Sequence, residues 1–181
     1  LGTFVGGFDL SAAEQVCGAE PLDNGDVIDI LGSLVEKSLV MLDERDDGTR
    51  YRILETIREY ARERLDLAGE AAATAERHCV HFFALAKEAR DGLMGPDQAY
   101  WVRRMEAELD NIRSATSLAL SGGVDPFIAV KFAVAMLGFW LLRGYATEGR
   151  NVVRAALALP TIQASELAQA HALYAGAGLA A

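Results

Sequence analysis

The residue types best suited to chemistry are clustered at His78, Cys79 and His81. Imidazole and thiolate are the ligands that zinc prefers, and a zinc site takes three or four of them. Successive helical residues point about 100° apart, so Cys79 does not share a helix face with His78, whereas His81 could. Because no further ligand recurs nearby, we expect no metal site. The histidines should lie on a helix surface, and Cys79 should be buried.

Catalysis is not indicated elsewhere in the chain. There is no nucleophile motif of the G-x-S-x-G kind, and no phosphate-binding loop of the form G-x-x-x-x-G-K-[ST]. Carboxylates at helical spacing, Glu59 with Glu63 and Glu106 with Asp110, are interleaved with arginines, which is typical of a solvated helix face. We therefore predict no catalytic residue, no cofactor held by these residues and no enzymatic activity.

Composition indicates a globular protein without a membrane span. Of the 181 residues, 51% are hydrophobic and 24% are charged, and the longest apolar run, Phe132–Leu142, is shorter than the roughly 20 residues that cross a bilayer. No secretory leader is recognisable, and two distant cysteines suit a reducing compartment, so we expect a cytoplasmic location. The chain opens at Leu1 inside an apolar pattern and ends without a helix stop signal, so we expect a piece of a larger protein.

The N-terminal third has the element order of a winged-helix module. Ser11 to Glu14 has the form of a capping box that would start the first helix. The predicted elements, from hydrophobic periodicity and turn residues, are helices at Ser11–Cys17 and Asp26–Ser38 and strands at Leu39–Leu42 and Arg50–Ile53, with a loop at Gly18–Gly25 and a charged turn at Asp43–Gly48. We predict a winged-helix-like domain at residues 1–68 with one small β-hairpin as its wing.

The remaining sequence has helical periodicity throughout. Helices are predicted from Leu54, over Ala71–Arg90, from Pro96 to Leu120, and from Pro126, Thr147 and Ser165. Helix starts at Phe127 and Ser165 are 38 residues apart, near the roughly 34-residue period of TPR helix pairs. We predict a mostly α fold: the winged-helix-like module, a helical linker or bundle at residues 69–123, and the start of a TPR-like helical array at residues 124–181.

The distribution of charge bears on nucleic acid binding. Leu1–Glu70 contains 16 acidic and 7 basic residues, whereas Ala71–Ala181 contains 10 of each. The second predicted helix, with which a winged helix reads the major groove, offers three carboxylates and one cation. They are Asp26, Asp29, Glu36 and Lys37. Because DNA binding depends on neutralising phosphates, we expect no direct nucleic acid contact by this chain. A DNA-binding winged helix and a purely structural helical scaffold are the alternatives to the regulatory role described next.

Six segments together resemble one bacterial family. They are Leu1–Cys17 (LGTFVGGFDLSAAEQVC), Leu34–Val40 (LVEKSLV), Tyr51–Leu65 (YRILETIREYARERL), Gly95–Gln98 (GPDQ), Glu106–Arg113 (EAELDNIR) and Gly138–Tyr145 (GFWLLRGY). This set resembles the STAND-type ATPase transcriptional regulators, which include LuxR-type and antibiotic-regulatory-type proteins. The resemblance implies a P-loop NTPase domain before Leu1, which would use ATP or ADP with Mg²⁺ in the parent protein. The winged helix would restrain that domain in its ADP-bound state.

The resemblance also implies a nucleotide-sensor position and a receiver for a signal. Relatives place a Met-His-Asp motif at the end of the winged helix, and alignment on Ile57–Ala61 puts Ile53, Leu54 and Glu55 there. Leu54 cannot donate to a phosphate, so Glu55 would act only through water, a metal or a base. The TPR-like array would receive an unidentified protein or small-molecule inducer.

Four residues are candidates for partner contacts in the helical array. Trp140, Tyr145, Leu173 and Tyr174 have the large apolar or aromatic side chains that line the concave face of such repeats. The last predicted helix would expose its inner face, and we expect self-association through that end.

Overall fold

The structure, a computed structural model, describes residues 1–20, 22–45 and 48–180. It contains two compact units, Leu1–His81 and Phe82–Ala181, called unit 1 and unit 2 below. The sequence predicts three segments, at residues 1–68, 69–123 and 124–181. The boundary between the two units of the structure instead falls after His81, inside one long helix. The predicted fold class is confirmed: the chain is mostly α-helical, with a small antiparallel sheet inside a winged-helix domain.

Unit 1 combines short helices with a three-stranded sheet. Its elements are β1 (Gly7–Phe8), α1 (Leu10–Cys17), α2 (Asn24–Glu36), β2 (Val40–Arg45), β3 (Gly48–Ile53), α3 (Glu55–Leu67) and the first part of α4 (Ala71–Gly92). The strand order is β1-β3-β2, and both pairings are antiparallel. The predicted hairpin is confirmed as β2 and β3, but β1 was missed because a two-residue strand has no periodicity. Asp46 and Asp47 of the predicted turn, and Pro21 of the predicted loop, lie outside the described residues.

The helix starts differ from those predicted. Asp9 caps α1, because its carboxylate accepts a hydrogen bond from the Ala12 amide at 2.7 Å. Ser11 therefore lies inside the helix, and the predicted Ser11 capping box is wrong. Helix α2 begins at Asn24, two residues before the predicted Asp26, since Asp23 takes the capping position.

The core of unit 1 is built on two stacked phenylalanines. The rings of Phe4 and Phe8 lie 4.4 Å apart, and both side chains are buried. His78 of α4 meets the Phe4 ring edge-on at 5.5 Å and is only 2% exposed. The expectation that His78 lies on a helix surface is therefore wrong, because α4 packs on this aromatic pair. Arg77 fixes the same helix turn by donating from Nε to the Val16 carbonyl oxygen at 2.8 Å.

Unit 2 is a stack of helices. It contains the rest of α4, then α5 (Gln98–Ala107), α6 (Leu109–Leu120), α7 (Phe127–Arg143), α8 (Ala146–Leu157), α9 (Pro160–Gln163) and α10 (Glu166–Gly178). The single helix predicted from Pro96 to Leu120 is interrupted at Glu108, which ends α5 and starts α6. The Glu108 carboxylate is fully buried and accepts from the Asn111 amide nitrogen at 3.0 Å. The predicted Ser165 cap of α10 is confirmed.

Helix α7 is apolar on nearly all sides, as its sequence indicates, and α6, α8 and α10 pack against it. Arg113 of α6 holds Glu148 of α8 with two hydrogen bonds, of 3.0 and 2.7 Å. These bonds raise the pKa of the Arg113 guanidinium above its ordinary value.

Within the described ranges, the structure contains no helix with the length and apolar character needed to span a bilayer.

The turn between α1 and α2 depends on Gly18. A Cβ at this position would lie 2.4 Å from the Glu14 carbonyl oxygen and 2.7 Å from the Asn24 side chain. Gly32 on α2 is the matched contrast, because a Cβ there would meet nothing within 4 Å.

We predict that Gly18→Ala lowers the free energy of unfolding of unit 1 by about 1–3 kcal/mol, because the rigid Glu14 carbonyl cannot move away cheaply. Gly32→Ala should raise it by about 0.5–1 kcal/mol, because alanine restricts the unfolded chain without a clash. Amide hydrogen exchange in α1 and α2 under mild urea measures both effects. Equal protection in the two variants would contradict the close approach at Gly18.

Candidate functional site

The surface of α2 is the most distinctive feature of unit 1. Val27 and Leu31 lie one turn apart, and they are 4% and 1% exposed, so this stripe faces the core. The opposite side of the helix is exposed and carries carboxylates with isoleucines among them. We call this set the α2 face: Asp26, Ile28, Asp29, Ile30 and Glu36. Ile28 and Ile30 are 47% and 43% exposed, which is unusual for large aliphatic side chains in a helix that already has a buried stripe.

Two of the carboxylates near this surface also start the helix. The Asp23 side chain accepts from the Asp26 amide, and the Asp26 side chain accepts from the Asp23 amide, both at 2.9 Å. This reciprocal capping box satisfies two amides that have no helical partner. The carboxylates also offset the positive end of the helix dipole, which would otherwise favour a phosphate.

The hairpin also exposes apolar side chains. Strand β2 packs against α2, and among the described residues it lies at the edge of the sheet beside β3. Val40 is 3% exposed, but Met41 and Leu42 are each 44% exposed. Successive side chains of a strand alternate between its faces, so Val40 and Leu42 lie on the same face and the covered part of β2 ends after Val40. Asp43 and Glu44 follow, and both are exposed.

The charge of these elements limits what the surface can bind. Helix α2, which is described in full, contains no Lys, Arg or Gln, and Lys37 follows its last residue. The bidentate contacts that identify guanine and adenine are made by those side chains and by Asn. Asn24 in the first turn is the one such residue, and its amide oxygen lies against the Gly18 position. The α2 face and the exposed part of β2 match the chemistry of a protein surface with apolar and basic groups.

The predicted nucleotide-sensor residues lie at the start of α3. Leu54 is the residue before the helix, with an extended backbone and a side chain that makes no capping bond; it is 47% exposed. It therefore lies outside the half-buried side of α3, which carries Ile57, Ala61 and Leu65. Glu55 accepts from Arg58 Nη2 at 2.5 Å, and Arg58 Nη1 donates to the Phe4 carbonyl oxygen at 3.5 Å. A nucleotide-sensing role for Leu54 and Glu55 stays a prediction.

The four predicted partner-contact residues of unit 2 differ in their exposure. Trp140 is 2% exposed, so its assignment to a contact surface is corrected: it is a core residue. Gly149 leaves room for its ring, because a Cβ there would lie 2.6 Å from the indole. Tyr145 is half-buried, and the Arg113 guanidinium lies 5.8 Å from its ring centre. Leu173 and Tyr174 on α10 are 58% and 64% exposed and stay candidates.

The histidines and cysteines do not converge. In residues 1–20, 22–45 and 48–180, no group of three or more His, Cys, Asp or Glu side chains is arranged to hold a metal ion. His81 lies 3.2 Å from the Gln15 amide oxygen through Nδ1. Cys79 is fully buried, as predicted, and burial, with a smaller effect of Glu76, raises the pKa of its thiol to about 11.

The fold of unit 1 defines a winged-helix domain, and comparison with known proteins agrees. Residues 1–66 match the winged helix-turn-helix domain family. Over 149 residues, 82% of this chain, the sequence is 40% identical to proteins of Mycobacterium tuberculosis and Mycobacterium bovis whose names provisionally describe them as HTH-type transcriptional regulators. An uncharacterized Mycobacterium tuberculosis protein is 34% identical over 82 residues, which is 45% of this chain and 21% of that protein.

These relatives are much longer than the chain. The aligned region is 17% of the length of the HTH-type relatives. No solved structure matches this sequence.

The buried thiol predicts a pH dependence of stability. The pKa of Cys79 is raised to about 11 from 9.0. The contribution of this group to the free energy of unfolding is therefore complete below about pH 9 and is lost as pH rises toward 11. At pH 10 the loss should be about 1 kcal/mol. Urea denaturation at pH 8 and pH 10 measures it, and the Cys79→Ala variant should lose less stability over this interval. An identical loss in both proteins would show that Cys79 is not the group responsible.

Proposed function

We propose that this chain is the winged-helix and helical segment of a transcriptional regulator, and that its winged helix contacts a protein surface rather than DNA. The first part is supported by the match of residues 1–66 to the winged helix-turn-helix family and by the 40% identity to HTH-type regulators. The second part is carried by one observation: the helix in the position of a DNA reader exposes Asp26, Asp29 and Glu36 and has no basic side chain.

The proposed partner surface is a nucleotide-binding domain of the same, longer protein. This finer proposal comes from the resemblance to STAND-type ATPase regulators. The exposed Ile28 and Ile30 support it, because aliphatic side chains with carboxylates around them suit an intramolecular interface that can open and close. In this proposal ATP or ADP with Mg²⁺ binds the partner domain, unit 2 receives a protein or small-molecule inducer, and the whole regulator acts in the cytoplasm.

A DNA-binding winged helix is the second candidate function. The comparisons favour it over a segment that only restrains an ATPase, because the matching family is a winged helix-turn-helix and the relatives bear the names of transcriptional regulators. Its cations would have to come from the strands and α3. In α3, Arg58, Arg62 and Arg64 are interleaved with four carboxylates, and Arg58 is engaged by Glu55. The charge of α3 therefore does not favour phosphate.

We predict that the chain does not raise the anisotropy of a fluorescent duplex pool at about 25 mM salt, where phosphate contacts are strongest. The double variant Asp29→Lys and Glu36→Lys, which leaves the Asp23–Asp26 capping box in place, should acquire weak binding that is lost at about 200 mM salt, because the exposed side of the helix then has the charge of a DNA reader. This variant shows whether the fold can approach DNA once its charge allows. Tight, salt-sensitive binding by the unmodified chain would establish the second candidate instead.

In the full-length protein we predict that Ile30→Asp speeds release of a fluorescent ADP analogue by roughly tenfold, the equivalent of about 1.4 kcal/mol of lost restraint. Leu67→Asp is the matched control, because Leu67 at the end of α3 is 77% exposed and lies outside the α2 face. Release should be unchanged in that variant. Equal release rates from all three proteins would contradict a contact between the α2 face and a nucleotide-binding domain.

A further inference from the structure

Unit 2 contains an open groove between the end of α4, α7 and α10. Its main cavity has a volume of about 400 Å³, within the range of roughly 300–1,000 Å³ that small-molecule sites occupy. A second cavity of about 320 Å³ continues it and shares Val130, Lys131 and His171 with the first. We call the main cavity the cationic groove.

The floor of the cationic groove is apolar and held in place by the core. Phe83, Val130 and Val134 line it. The Phe83 ring meets the buried Phe132 ring edge-on at 5.3 Å, and Val130 is only 3% exposed. Because these side chains are packed from behind, the floor exists before any ligand arrives, which lowers the cost of binding.

The rim of the groove is positively charged. Lys87, Arg90 and Lys131 line it, together with His171. Arg90 pairs with Asp91 at 3.0 Å. In the part of the chain that the structure describes, neither Lys87 nor Lys131 forms an ion pair. Asp125, the carboxylate of the adjoining cavity, accepts a hydrogen bond from the amide of Phe127, the first residue of α7, at 3.0 Å.

This concentration of cations contrasts with the rest of the protein. The chain has a net charge of −9, and Phe82–Ala181 has nine acidic and nine basic residues. Two unpaired lysines at one apolar cavity repel each other unless an anion lies between them. A ligand with a negative head and an apolar body would use both parts of the groove.

We propose that the cationic groove of unit 2 binds a small organic anion with an apolar body. The anionic group lies between Lys87 and Lys131, and the apolar body lies against Phe83, Val130 and Val134. This inference does not depend on what the winged helix contacts.

The probes for the test are anilinonaphthalene sulfonate and its uncharged counterpart, N-phenylnaphthylamine. Both become fluorescent in apolar sites, and they differ in the sulfonate. We expect the unmodified chain to bind the sulfonate at least tenfold more tightly. Decanoate should displace it at a lower concentration than decanol does.

The variant pair Lys87→Gln with Lys131→Gln should weaken sulfonate binding at least tenfold, whereas Lys87→Arg with Lys131→Arg should retain it. Arg103→Gln is the control, because Arg103 is an exposed cation of α5 outside the groove. Thermal unfolding confirms that each variant is folded. Equal binding of the two probes, or sulfonate binding that survives the glutamine pair, would overturn the proposal. Loss of binding in the arginine pair or in the Arg103 variant would also count against it.

Discussion

The reciprocal capping box between Asp23 and Asp26 is the contact on which the account of unit 1 depends. It fixes where α2 begins, and the spacing of the apolar residues along the helix then places Val27 and Leu31 against the core while Asp29 and Glu36 face outward. The same two carboxylates lie at the end of the helix that a DNA reader inserts into the major groove. The local chemistry that starts the helix is therefore the chemistry that makes this end unsuitable for phosphate.

Both units bury the apolar faces of their helices, but the charges on their surfaces differ. Unit 1 uses an aromatic pair, Phe4 with Phe8, and has its excess acidic residues on the surface around it. Unit 2 buries larger side chains between helices, with Trp140 packed where Gly149 has no side chain. Three of its nine cations, Lys87, Arg90 and Lys131, line an apolar cavity. Since fold alone does not define function, the charges on these surfaces are the better guide to what each unit binds.

Much of the fold could be predicted because hydrophobic period and turn residues act locally. The hairpin, the α7 helix and the Ser165 cap follow from such signals. The features that were missed depend on contacts between distant residues. Strand β1 exists because Gly7 and Phe8 pair with β3, and the interruption at Glu108 coincides with a buried carboxylate that is bonded to Asn111.

The same holds for the candidate sites: features within one helix could be predicted from the sequence, whereas features that depend on packing could not. The acidic residues of α2 could be read directly from the sequence, because they belong to one helix. The exposure of Ile28, Ile30 and Met41 could not, since aliphatic side chains in such patterns are usually buried. Trp140 illustrates the reverse case, because its burial requires Gly149 on another helix. The cationic groove also required the structure, as its lysines come from helices far apart in the chain.

The central claim is that the α2 face is covered by protein in the complete regulator. Hydroxyl-radical footprinting of Ile28 and Ile30, compared between this chain and the full-length protein without DNA, measures it most directly. We expect both isoleucines to be strongly protected in the full-length protein, and added DNA not to increase the protection. Equal oxidation in the two proteins, with protection that develops only when DNA is added, would contradict it.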